Sequence, residues 1–354
     1  GMTSELYGVT GWDFDFRGHK IHGDWQAALG VTVRVQHLSW VSMKGEAKRD
    51  YPASISYQSP WWRDYSYVED HFARLNTALT RGKPVVRVGV IHPVESYWLH
   101  WGPAEQTYGV RQQLDEHFQS LTDWLLNGGI DFDFISESLL PSQCEKAGAP
   151  LQVGEMAYDA VVVPGCETLR ATTLERLEAF QRAGGRLIFL GNAPRYTDAK
   201  PDDRGAKLYA QSQRAEFSQE AVLTALEPVR LIDVRNEDGT RTDNLVHQLR
   251  RDGDGLWLFL AHSRDPYNKD IPHRQEIRLT VAGEYAAQLY DTLTGEIRPA
   301  DAQAVGGRTV VRAALYDHDS LLLRLDHAAE FQRPVAAENR AAKPVAVPAL
   351  VDYE

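Results

Sequence analysis

Two cysteines in 354 residues are too few for a disulfide framework. Cys144 and Cys166 therefore read as reduced thiols, as expected of a cytoplasmic protein. No run approaches the roughly 20 apolar residues of a membrane helix, and no secretory apolar segment is visible. Basic runs are missing too: 38 Lys and Arg face 49 Asp and Glu, a formal charge of −11. Neither nucleic acid nor a membrane surface is an expected partner of such a chain. No glycine-rich phosphate loop follows a predicted strand, so no nucleotide cofactor is expected. His19 and His22 stand three apart without a third ligand at metal spacing, so no metal is expected either.

What is present is a soluble-type composition, 43% hydrophobic and 25% charged, in a chain long enough for two or three domains. Gly1-Met2 reads as a cleavage scar before a start methionine. Tryptophan is unevenly spread, with most of the nine residues in the first third of the chain.

The fold class expected is α/β plus all-β, in three units and a tail. Residues 3–82 alternate strand, long loop and helix twice, which argues for parallel strands. "VTVRVQHLSW" (Val31–Trp40) is the second strand, and Val68, Phe72, Leu75 and Leu79 mark one face of the second helix. Residues 83–226 hold nearly continuous apolar strands such as "PVVRVGVIHP", "YDAVVVPG" and "RLIFLG" between amphipathic helices. That pattern predicts a flavodoxin-like, doubly wound parallel sheet covered on both faces. Residues 227–326 switch to a period of two, with turns at Asp252-Gly253, Asp254-Gly255 and Gly306-Gly307, and predict an antiparallel β-sandwich. Residues 327–354 have no period and read as an extended or disordered arm.

The middle unit invites comparison with the glutamine amidotransferases, which set a cysteine on a tight turn after a buried strand. "VVVPGCETL" matches the oxyanion strand and loop, but the nucleophile position in "RLIFLGNAP" offers Gly191 and Asn192. Cys166 sits one strand early with no base in reach, so the unit reads as amidotransferase-like and non-catalytic. The sandwich reads as a packing module, with Trp257 in its core.

The first unit carries the chemistry. Glu5, Asp13, Asp15, Glu46, Asp50 and Asp70 are interleaved with Trp12, Trp40, Tyr51, Tyr57, Trp61 and Trp62. Sugars are bound by aromatic stacking and by carboxylate hydrogen bonds, and their glycosides are cleaved by paired carboxyl groups. In a β/α barrel such groups stand at the C-terminal ends of strands or in the loops beyond them. Glu5 lies in the first predicted strand, His37 near the end of the second, and Glu46 and Asp50 in the loop after it. The bland alternatives are that Asp13 or Asp15 caps a helix or pairs with Arg17, and that Trp61 and Trp62 pack the second helix.

"SELYGVTGWDFDFRGHK", "GVTVRVQHLSW" and "KRDYPASISYQSPWW" resemble the last βα units of a clan of barrel glycoside hydrolases. The clan includes α-L-rhamnosidase-like enzymes and β-galactosidases with a trimerisation domain, laid out as barrel, amidotransferase-like domain and β-sandwich. The resemblance implies Glu5 as a catalytic carboxylate, with Glu46 a weaker second candidate. It implies a substrate contact from His37, while the carboxylate–aromatic pattern itself makes Trp12, Asp13, Asp15, Trp40, Asp50, Tyr51, Trp61 and Trp62 carbohydrate-binding candidates. A (β/α)₈ barrel needs about 200 residues, so the resemblance implies a partial barrel and a C-terminal portion of a larger hydrolase. Its open strand edges predict a homo-oligomer or a complementary barrel chain. The alternative is a non-catalytic carbohydrate-binding or oligomerisation protein of the same descent.

Overall fold

The computed structural model describes residues 1–45, 52 and 54–327. Strand β1 (Met2–Leu6) and strand β2 (Val31–Gln36) pair in parallel, with Glu5 opposite Val35. Helix α1 (Phe16–Ala28) connects them, and helix α2 (Ser66–Leu79) follows. Asp15 starts α1 by accepting hydrogen bonds from the backbone N–H groups of Arg17 and Gly18, at 3.0 and 3.3 Å. Gly30, at φ 101°, turns the chain into β2. The second strand is shorter than its alternation predicts and stops at Gln36. Beyond it the chain bends away, and the Leu38 carbonyl accepts from Ile55 N–H.

The α2 stripe of Val68, Phe72, Leu75 and Leu79 is buried as its spacing requires. Gly23 of α1 lets the two helices meet closely: a β-carbon there would lie 2.2 Å from the Phe72 ring. One side of this helical layer carries β1 and β2. The other packs Ala27, Ala28, Val68 and Leu75 onto Val246, Trp257, Phe259 and Leu322 of the C-terminal strands.

Those strands form two antiparallel sheets. One has four strands, in the order Ile232–Asn236, Arg274–Ala282, Arg308–Tyr316 and Ala302–Val305. The other has six, in the order Ile297–Pro299, Ala286–Tyr290, Ser320–Asp326, Gly255–His262, Leu245–Asp252 and Lys83–Pro84. Strand Gly255–His262 is buried at all eight positions. Its Leu256, Leu258 and Leu260 face the other sheet, while Trp257, Phe259 and Ala261 face the helices. Trp257 is thus a core residue. The edge strand Lys83–Pro84 comes straight from the end of α2, and its proline sits where no ladder donor is needed.

The middle of the chain forms a five-stranded parallel sheet, in the order Gln213–Ala215, Arg186–Leu190, Ala160–Pro164, Val88–Ile91 and Phe132–Ile135. Helix Ala104–Asn127 buries Leu121 and Leu125 against one face, and helix Ala171–Arg182 buries Leu174, Leu177 and Phe180 against the other. Glu137, just past strand Phe132–Ile135, is buried and accepts from Arg170 N–H at 2.8 Å. Burial pushes its carboxyl up to about 7. A group raised in the folded state stabilises fully below its ordinary value of 4.5, and that contribution is lost as pH rises through about 7. Glu137→Gln keeps the acceptor and removes the charge. It is expected to stabilise the protein by about 3 kcal/mol at pH 8 and by nothing at pH 4, read from urea unfolding at both pH values.

A buried ionic cluster fixes the helical layer to the sandwich. Asp24 of α1 accepts from Lys20 Nζ and His71 Nε2, both at 2.6 Å. His71 Nδ1 meets Thr292 Oγ1 at 2.8 Å, and Lys20 Nζ also donates to His318 O and Ser320 Oγ, both at 2.9 Å.

Candidate active site at the ends of the first two strands

The backbone turns sharply where β1 ends. Tyr7 and Val9 both adopt left-handed φ values, 72° and 59°. For a β-branched valine this is an uncommon and costly conformation, on the order of 1–3 kcal/mol. The surroundings hold it in place. The Tyr7 ring is fully buried against Phe14 and His19, with centroids 5.9 and 4.5 Å away. Thr10 Oγ1 donates to Tyr7 O at 2.8 Å, and the N–H groups of Thr10 and Gly11 both donate to Pro52 O. His37 N–H donates to Leu6 O at 2.8 Å, tying the two strand ends together.

This strained turn brings Glu5 and His37 to one point. A β-carbon placed on Gly8 would lie 3.8 Å from Glu5 Oε1 and 3.6 Å from His37 Cγ. Gly8 thus lies against both the exposed carboxylate and the half-buried imidazole, and a β-carbon there would be in ordinary contact with each. Trp12 and Trp40 meet edge to face at 5.3 Å. Trp40 is buried and Trp12 is 47% exposed, so one indole anchors the loop and the other offers a free apolar surface. Gln58 Nε2 fixes the Trp40 carbonyl at 2.7 Å, and the Tyr57 hydroxyl donates to Val41 O at 2.9 Å.

The remaining candidates divide. Asp13 is exposed at the rim, next to Gly11. Asp15 is engaged at the start of α1 and in an ion pair with Arg17 at 2.8 Å. Partial burial works against its charge, but the Arg17 and Gly18 hydrogen bonds hold its carboxyl below the usual range. Trp61 is wedged between the helices, against Phe16, His19 and Tyr65, at 5.2 to 5.8 Å. Trp62 is 42% exposed, with the Arg63 guanidinium 5.6 Å from its ring. Glu46, Asp50 and Tyr51 lie outside the described residues.

Below the site, Glu69 of α2 binds Arg34 at 3.0 Å and Gln36 at 2.8 Å, both from β2. The Arg34 guanidinium lies 3.8 Å over the Phe72 ring. Burial pushes the Tyr7 phenol up to about 12, so it stays protonated and acts as a wall, not as a base.

In the parallel sheet, Cys166 is buried. Its thiol is pushed well above the ordinary value by burial, and the charges of Glu137 and Glu95 act in the same direction. A thiol in those surroundings is no nucleophile at neutral pH. Among the described residues no group of three or more His, Cys, Asp or Glu side chains is placed to hold a metal ion. Among the same residues, no helix is long and apolar enough to cross a membrane.

No family model and no curated protein matches the chain. Solved structures do. A rhamnosidase from Novosphingobium sp. PP1Y superposes with a TM-score of 0.64 at 17% identity, over 92% of this chain and 31% of its own. A β-galactosidase from Bacillus circulans sp. alkalophilus gives 0.57 at 13% identity, over 92% and 55%. An α-L-fucosidase isoenzyme 2 from Paenibacillus thiaminolyticus gives 0.53 at 12% identity, over 88% and 57%. The chain spans about a third of the rhamnosidase and little more than half of the other two, and within that span it shares the fold of these glycoside hydrolases.

Proposed function

We propose that the chain is the C-terminal portion of a glycoside hydrolase of plant-type or microbial glycosides and contributes one carboxylate, Glu5, to its active site. The observation that carries this reading is that Glu5 and His37 both reach Gly8, in the same two βα junctions that carry the Trp12–Trp40 pair. An acid and an imidazole beside an open indole suit a sugar ring, whose C–H face stacks on the aromatic while its hydroxyls are hydrogen-bonded. The exposed setting of Glu5 supports the rest of the reading. The face of β1 and β2 that turns away from the helices leaves Val33 and Val35 each 48% exposed, and Met2 at the start of β1 is 55% exposed. Further barrel strands from a complementary chain or a second copy cover that face and bring the second carboxyl that hydrolysis needs. The parallel sheet serves as an amidotransferase-like module without chemistry of its own.

The test is complementation. The chain is mixed with the product of the reading frame immediately upstream and assayed on aryl α-L-rhamnosides and aryl β-D-galactosides. Turnover by the mixture and by neither part alone is the expected result. Sugar binding by calorimetry without turnover in any mixture assigns the chain to the non-catalytic alternative. Neither binding nor turnover overturns both.

A further inference from the structure

The parallel sheet holds a second site, unrelated to Glu5. Val88–Ile91 and Ala160–Pro164 are neighbours in that sheet, yet their chains leave in opposite directions. The first goes by helix Ala104–Asn127 to strand Phe132–Ile135 at one edge, and the second by helix Ala171–Arg182 to Arg186–Leu190 on the other side. Where strand order reverses in this way, a crevice opens beyond the C-terminal ends of the two strands, and such crevices bind ligands.

Here the crevice is real and divided in two. One chamber of about 380 Å³ is walled by His92 and Pro93 after the first strand, Gly165 after the second, and the side of the long helix. A second of about 470 Å³ adjoins it, sharing Leu114, His117, Gly165 and Phe217. The first chamber is aromatic. His117 stacks on Phe217 at 4.3 Å with the planes 25° apart, and His92 stands edge-on to Phe118 at 5.4 Å, with Tyr97 and Trp98 completing the wall. The second chamber is polar but electrically balanced. Glu167 is held by Arg195 at 2.5 Å and by His100 at 2.7 Å, which leaves Gln113 and Asn192 as uncharged hydrogen-bonding groups.

A phosphate or other strong anion finds no unshared cation there, and Asp115 on the wall of the first chamber repels one. We infer that this crevice binds a neutral, planar aromatic molecule bearing hydroxyl groups, its ring in the chamber of His117 and Phe217 and its hydroxyls toward Asn192 and Gln113. Stacked rings supply the affinity and the amide side chains the orientation.

The probe is 2-naphthol, titrated into the full chain by calorimetry. Saturable binding at one site is expected, with galactose and inorganic phosphate giving no heat. Leu114→Trp fills the shared wall and His117→Ala removes the stacked ring. Each is expected to weaken 2-naphthol binding about tenfold or more, with the melting temperature of the chain unchanged. Leu114 and His117 are only partly buried, so neither substitution removes a core residue. Absence of saturable binding overturns the inference, as does binding that both variants leave intact. So does a change in sedimentation by Leu114→Trp with no change in 2-naphthol affinity, which makes the crevice a protein contact.

Discussion

Asp24→Ala is expected to cost about 3–5 kcal/mol of stability, read as a fall in the urea midpoint at pH 7. The size follows from what the substitution leaves behind. Asp24 is 2% exposed and receives hydrogen bonds from Lys20 and His71. Without the carboxylate, a largely buried ammonium loses its counter-charge, and a fully buried imidazole loses the acceptor opposite Nε2. A single uncompensated buried charge costs far more than the ion pair contributed. The effect depends on pH in a defined direction. Burial alone raises this carboxyl, but Lys20 and His71 together bring it down to about 2, from an ordinary 3.8. A group lowered in the folded state stabilises above its unfolded value and loses that contribution as pH falls through the folded one. The gap between wild type and variant therefore holds constant above about pH 4 and narrows by about 2 kcal/mol as pH falls to 2. A gap that persists unchanged at pH 2 means that Asp24 acts by shape and not by charge.

Glu5→Gln in the complemented enzyme is expected to lower kcat by about a hundred- to ten-thousand-fold on aryl glycosides. On the proposed reading Glu5 holds or moves a proton at the glycosidic oxygen or attacks the anomeric carbon, and an amide does neither. The folded chain should not register the change: the side chain is exposed, and Gln has the same shape. An unchanged melting temperature together with unchanged kcat removes Glu5 from the catalytic machinery. Trp12→Ala separates binding from chemistry, since loss of a stacking surface is expected to raise KM more than it lowers kcat.

Much of this arrangement is legible in local pattern. The α2 stripe, the buried parallel strands and the alternation of strand Arg274–Ala282 follow from which residues recur at which spacing, whereas Gly255–His262 is buried on both faces. Gly30 and Asp15 mark the ends of α1 for reasons of backbone freedom and capping. The missed features depend on partners distant in sequence. Asp24 and His71 are 47 residues apart, and neither residue type announces a buried ion pair. Nothing in "LYGV" predicts left-handed backbone at Tyr7 and Val9; the path forced on the chain by Pro52 and by the burial of Tyr7 imposes it. Asp15 shows the opposite case. Its residue type suits both a sugar ligand and a helix start, and geometry puts it at the helix start. The switch-point crevice belongs to strand order, which local periodicity does not encode.

The edge strand Lys83–Pro84 has a consequence for the newborn chain. Arg81 contacts Asp252 across 171 residues, and the apolar faces of α1 and α2 are covered by three strands that begin at Leu245 and end at Asp326. At about 5–20 residues per second, the ribosome needs on the order of 10–50 s to deliver those strands. For that interval the helices that back the Glu5 strands wait with their inner face bare, while the parallel sheet can complete itself in the middle of the chain. The nascent N-terminal segment is thus the natural client of a chaperone, and slowing synthesis after residue 82 is expected to lower the yield of folded protein more than slowing it after residue 262.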